Sequence, residues 1–104
     1  MKLRMALGSL LLLLVASPAA HASPQLAQKY ACVGCHAVDR KLVGPAFQEV
    51  ARKYAGQADA QAKVVQSIRA GGAGKWGPIP MPPQAALSEA DAKALASWIL
   101  GGAK

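Results

Sequence analysis

Acidic residues and aromatics are scarce in this 104-residue sequence. Five Asp and Glu stand against twelve Lys and Arg, charged residues make up 16% of the chain and aromatics 5%. A chain this short holds one domain at most. That excludes a multidomain enzyme, a dinucleotide-binding domain with a partner domain, and an eightfold β/α barrel. Sustained apolar/polar alternation is missing, so strands are not expected. After the first 22 residues there is no internal repeat and no low-complexity stretch. Cysteine is limited to Cys32 and Cys35. A bridge between two residues so close in sequence would restrain little of the unfolded chain. A small domain with so few core formers needs a different staple.

One long apolar run is present, Met5–Ala16, and it follows the cationic Lys2 and Arg4. Ala20-His21-Ala22 then supplies an A-x-A cleavage site. These three features predict a secretory signal over residues 1–22, removed on export to the periplasm, and a mature domain over 23–104. Twelve helical residues would span about 18 Å, against a hydrocarbon core of ~30 Å, so a membrane anchor is not expected. No other run is long enough to span. The leader takes Lys2 and Arg4 with it, which leaves 82 residues at net charge +5. Nucleic acid is not an expected partner of such an exported chain.

Helix signals are clearer than strand signals. Ser23-Pro24 reads as a cap followed by a first-turn proline, opening a helix to about Cys32. Phe47, Val50, Ala51 and Tyr54 set a second over 47–55, stopped by Gly56. Ala60, Val64 and Ile68 stripe a third over 59–70, stopped by Gly71-Gly72. Ser88, with Asp91 completing a variant capping box, opens a fourth over 88–100, ended by Gly101. The fold class is all-α. Between the third and fourth helices, Gly71–Ala86 carries four glycines and four prolines. A loop this long in so small a domain is often functional, and Trp76, Ile79 and Met81 are apolar groups a free linker would not need.

Cys32-Val33-Gly34-Cys35-His36 is a C-x-x-C-H motif, the attachment pattern for c-type haem. On a helix, positions 32, 35 and 36 share one face. Two thiols can then meet the two vinyl groups of one porphyrin while the imidazole of His36 meets the iron. Two other chemistries use such residues. A thioredoxin-like pair wants a βαβ setting, which the sequence does not offer. A zinc site wants a fourth ligand, and an adjacent Cys35-His36 pair makes tetrahedral geometry difficult. Motif and leader together predict one haem c, with its iron, per chain. Cleavage removes Met1, Met5 and His21, so one His and one Met remain, which excludes bis-His ligation within a monomer. A Met is commonly a gap-filler in a core. Here Pro80, Pro82 and Pro83 hold the thioether of Met81 at a fixed point, and Met81 is the expected second axial ligand. His/Met ligation raises the reduction potential.

The chain resembles the small bacterial class I cytochromes c of the c551 (c8) type. The resemblance rests on the C-x-x-C-H motif, Val43-Gly44-Pro45-Ala46, Trp76-Gly77-Pro78-Ile79-Pro80-Met81-Pro82-Pro83 and a last helix with Trp98. It covers essentially all of residues 23–104, and the proline-rich run is its most specific part. It implies the class I cytochrome c fold, about four short helices wrapped around one covalent haem. It also implies that the Pro45 carbonyl accepts the Nδ1–H of His36, and that Trp76 donates its N–H to a haem propionate. Phe47 and Tyr54 stand between haem contact and plain helix-face packing. The sequence departs from the family at Gln84, where Asn is usual, and at Ser67, where a basic residue is common; Arg69 or Lys75 is left as its substitute. The stretch Ala85–Leu87 is one residue longer.

The function these readings imply is a soluble periplasmic one-electron carrier serving a terminal reductase or oxidase, and not an enzyme. No nucleophile–base pair is present, and no second His remains for general-base work. The expected product is a monomer, and the cationic balance points to acidic redox partners met in weak, salt-sensitive encounters, with Lys29, Arg40, Lys41, Arg52, Lys53 and Lys75 as docking candidates. The alternative is a haem sensor or weak peroxidase in which Met81 is displaced. A third reading is a thiol–disulfide oxidoreductase.

Overall fold

The computed structural model describes residues 11–13 and 23–104. The expected cleavage site and the 22/23 boundary lie outside the described residues. Proline costs nothing in a first helical turn, where its missing N–H has no partner to lose. Helix α1 accordingly covers Ser23–Lys29 and buries Leu26 and Ala27. The Ser23 hydroxyl donates to the Ala94 carbonyl at 3.2 Å, which ties α1 to the last helix.

The first helix ends three residues before the sequence pattern predicts. Ala31 takes a left-handed conformation at φ 57°, which breaks the α-helix ahead of the cysteines. Cys32–Gly34 then form a single 3-10 turn. The attachment motif therefore sits on a tight turn and not on an α-helical face. It is closed by the Cys35 and His36 amides, which both donate to the Cys32 carbonyl, at 3.2 and 3.0 Å.

Helix α2 covers Phe47–Tyr54, and its two ends, Phe47 and Tyr54, are buried. Helix α3 covers Ala60–Ala70 and buries Val64 and Ile68, as the stripe predicts. Asp59 precedes it without capping it; its carboxylate instead pairs with Lys63 at 3.4 Å on the surface. Helix α4 covers Glu89–Leu100 and buries Ala92, Leu95, Ala96 and Ile99. Ser88 caps it by accepting the Asp91 N–H at 3.1 Å. Gly101 keeps an ordinary φ of −78°, and the left-handed residues that turn the chain away are Gly102 and Ala103.

Helix α4 is the hub, packing against α1, α2 and α3. Leu26, Leu87 and Leu95 are the largest fully enclosed side chains, joined by Phe47, Val64 and Ile99. Among the described residues there is no strand, only two isolated antiparallel bridges, His36–Lys41 and Gly72–Met81. The fold is all-α. No helix of the described residues is long and apolar enough to cross a membrane.

Candidate functional site

Both isolated bridges border one open cleft. It encloses about 1390 Å³ of free space, mouth included. Its depth is apolar: Phe47, Val50 and Tyr54 come from α2, Val64 and Ile68 from α3, and Leu95 and Ile99 from α4. The six residues expected at the site, Cys32, Cys35, His36, Pro45, Trp76 and Met81, all line it. Three separate segments of the chain are thus brought to one place.

The His36 ring is fixed on three sides. Its Nδ1–H donates to the Pro45 carbonyl at 2.7 Å, since a carbonyl can only accept. That fixes the tautomer and leaves the Nε2 lone pair free to bind a metal. Phe47 stacks on the ring with centroids 5.3 Å apart and planes 18° from parallel. Gly44 lies against the remaining side, where an added Cβ would fall 2.9 Å from Nδ1 and 3.0 Å from Nε2. Backbone bonds from Gly44 to Cys35 (2.8 Å) and from Phe47 to Ala37 (2.9 Å) hold this segment in place. Behind Phe47, Trp98 packs edge-on at 5.4 Å. Its Nε1 is buried with no hydrogen-bond partner among the described residues.

Both cysteines are free thiols. Cys35 is exposed, whereas burial pushes the Cys32 thiol above its ordinary pKa. A backbone N–H opposes that rise, and the neighbouring Cys35 adds to it.

Proline stiffness alone does not position Met81. Gly72 and Met81 exchange two backbone hydrogen bonds, 3.1 and 2.8 Å, which close the loop into a short antiparallel clasp. Gly71 starts this clasp with φ 66°, and a Cβ there would meet the backbone at Pro82 and Pro83, 2.9 and 2.8 Å away. The Gln84 amide donates to the Ile68 carbonyl at 3.0 Å and returns the loop to α3. Two lysines make contacts at the outer limb. Lys53 of α2 donates to the Lys75 carbonyl at 3.3 Å, and its ammonium sits 4.4 Å from the Trp76 ring centroid. Lys75 donates to the Ser67 hydroxyl at 3.4 Å. Gln84 and Arg69 do not line the cleft; Arg69 faces a shallow depression between α3 and α4. The close approach of the Gly44 backbone to the imidazole carries no separate signal in the sequence.

The donor set suits a covalently attached porphyrin iron: two free thiols, an imidazole with Nε2 available, and a thioether, around an apolar depth. Among the described residues, the only charged ones lining the cleft are cationic, Lys41 and Lys75. No cluster of three or more His, Cys, Asp or Glu among the described residues is arranged to hold a bare metal ion.

The model of one protein family, described as Cytochrome c, matches residues 20–103. Cytochrome c-551 of Allochromatium vinosum is 52% identical over 85 residues, covering 82% of this chain and 90% of that one. Cytochrome c-551 of Pseudomonas denitrificans is 55% identical over 76 residues, covering 73% and 92%. The crystal structure of wild-type Nitrosomonas europaea cytochrome c552 superposes with a TM-score of 0.74 at 49% identity, covering 76% of this chain and 98% of that one.

Proposed function

The chain belongs to the cytochrome c family, an electron-transfer protein with a covalent c-type haem and not an enzyme, and within that role we propose that it is a periplasmic one-electron carrier in which His36 and Met81 would hold the iron. When bound, the haem supplies exchange of one electron between ferric and ferrous iron. Everything else is the work of the chain. The thiols of Cys32 and Cys35 would hold the haem covalently, one at each of its vinyl groups. The Pro45 carbonyl orients His36 and strengthens it as a donor. The Gly72–Met81 clasp presents the thioether. Trp76 supplies an N–H for a propionate. The apolar depth would keep water from the iron, and His36 and Met81 would hold it between them as a closed electron-transfer site.

The observation that carries this reading is the 2.7 Å bond from His36 to Pro45, in the cleft that Met81 also lines. It leaves one imidazole nitrogen free for iron, and Met81 brings a soft thioether to the same cleft. The absence of acidic residues from the lining, with Lys41 and Lys75 present, supports an acidic partner. Exposed Val43 and Ile79 at the cleft support a small apolar contact. The cationic start, apolar run and A-x-A site support export and cleavage before Ser23.

The test uses holoprotein matured in a host that attaches c-type haem. We expect a sharp reduced α-band, a weak long-wavelength Met-sulfur band when oxidised, and a purified chain starting at Ser23. Met81→Ala should keep the covalent haem, lose the Met-sulfur band and bind carbon monoxide when reduced. A parent protein that lacks that band, or itself binds carbon monoxide rapidly, overturns the closed-site carrier in favour of a sensor or weak peroxidase.

A further inference from the structure

A haem brings two carboxylates into a site whose lining holds no acidic side chain and two cations, Lys41 and Lys75. The two lysines differ in setting. Lys41 lies on the segment bridged to His36, and among the described residues no side-chain hydrogen bond or ion pair involves its ammonium. Lys75 donates to Ser67 Oγ at 3.4 Å, and Ser67 lines the cleft as well. In that pair the serine oxygen accepts from the lysine, so its own O–H stays free to donate. Lys75 Nζ keeps two further N–H groups. One carboxylate oxygen placed beside the pair would therefore find an ammonium and a hydroxyl, both donating. The backbone of Lys75 is independently held, because Lys53 donates to its carbonyl at 3.3 Å. Lys53 thus fastens the loop and Lys75 is left with its head at the cleft. Arg69 is two residues from Ser67 on α3 and faces away from the cleft, so it does not compete.

We propose that Lys75 and Ser67 form a carboxylate-binding pair for one haem propionate, with Lys75 supplying the positive charge that position 67 of the chain lacks. This rests on the carrier reading above. A cation held at a propionate opposes the extra positive charge of ferric iron and so raises the reduction potential. The energy is Coulombic and partly screened, because Lys75 is exposed.

The test is redox titration of holoprotein variants at low ionic strength, each first checked for the reduced α-band and the Met-sulfur band. Lys75→Gln should keep both bands and move the ferric-to-ferrous ratio at a fixed potential about three- to tenfold toward ferric, tenfold being 59 mV for one electron. Lys75→Arg should stay within about twofold of the parent, since the charge and donors persist. Ser67→Ala should shift in the same direction by less than Lys75→Gln. Lys29→Gln, a lysine that does not line the cleft, reports the general effect of losing one surface charge. A Lys75→Gln shift no larger than that of Lys29→Gln overturns the proposal, as does a Lys75→Arg protein that behaves like Lys75→Gln. Loss of the Met-sulfur band in Lys75→Gln also overturns it, because the lysine then acts only as a fastener of the loop. Failure of the underlying carrier reading shows separately, in the bands of the parent protein.

Discussion

Gly44 carries more of the site than its size suggests. The imidazole of His36 occupies the space its Cβ would need, at 2.9 Å from Nδ1 and 3.0 Å from Nε2. Real Cβ atoms do not sit so close, and the ring is already held by Pro45 and Phe47. Gly44→Ala must therefore push the ring off its carbonyl or shift the segment. We expect at least a tenfold fall in the yield of covalent holoprotein, measured by haem absorbance per mole of purified chain, on the scale of about 10–100-fold for lost outer-sphere support. Gly101→Ala is the control, because a Cβ there meets nothing closer than 3.4 Å at an ordinary φ. Equal yields from the two variants would mean that Gly44 is only a turn residue. At this scale the sequence is a good guide to chemistry and a poor one to contact. The motif gives Cys32, Cys35 and His36 by identity and spacing, because attachment chemistry requires those atoms in that order. It does not give the glycine beneath the ring, because a close approach depends on where a distant part of the backbone passes.

At the scale of elements, the helices were legible and the loop was legible only in part. Helices α2, α3 and α4 fall within a residue or so of the stripes and caps that predict them, since a buried stripe and a glycine stop are local signals. Helix α1 falls short at Lys29, because Ala31 is left-handed, a conformation no alanine announces. The 71–86 loop shows its composition but not its pairing. Gly71 has φ 66°, and its neighbours are the backbone atoms of Pro82 and Pro83. Gly71→Ala should cost more than about 1 kcal/mol of stability, from left-handed backbone strain alone. The crowding would add to this and displace the clasp that holds Met81. The expected result is a weakened or absent Met-sulfur band together with a lower thermal midpoint in the oxidised holoprotein. A variant with the parent's band and midpoint would show that the clasp does not set the position of Met81.

Across the whole molecule, charge is distributed unevenly. Asp39, Asp59 and Glu89 each pair with a near neighbour in sequence, Arg40, Lys63 and Lys93, on the exposed surface. Such pairs contribute little stability, ~0–1 kcal/mol each, but they cancel charge locally. The cations at the cleft, Lys41 and Lys75, have no carboxylate in the lining beside them. The +5 balance of residues 23–104 exceeds the two negative charges that haem propionates would add, so the charge a partner meets is net positive. Electron exchange with an acidic redox protein should slow at least about tenfold between low salt and roughly 0.2 M, as the Debye length falls below 10 Å. Stopped-flow rates against ionic strength measure this. A rate that stays flat, or rises with salt, would remove the acidic partner from the proposal.

By itself the sequence determined the chemistry and most of the helical skeleton. A two-thiol, one-imidazole motif allows few cofactors, and a 3.6-residue stripe has few other uses, so residue type and spacing were sufficient. The resemblance already assigned the Pro45 carbonyl to the His36 ring, but only the tertiary structure decided how closely the ring is held, which backbone pairs with Met81, and which cation turns toward the cleft. His36 meets Pro45 nine residues away, Met81 meets Gly72 nine residues away, and Lys75 meets Ser67 eight residues away. Each of these contacts forms because separate segments are folded back against helices that pack on α4. No pattern within a single element encodes them, since a contact between segments depends on the path of both.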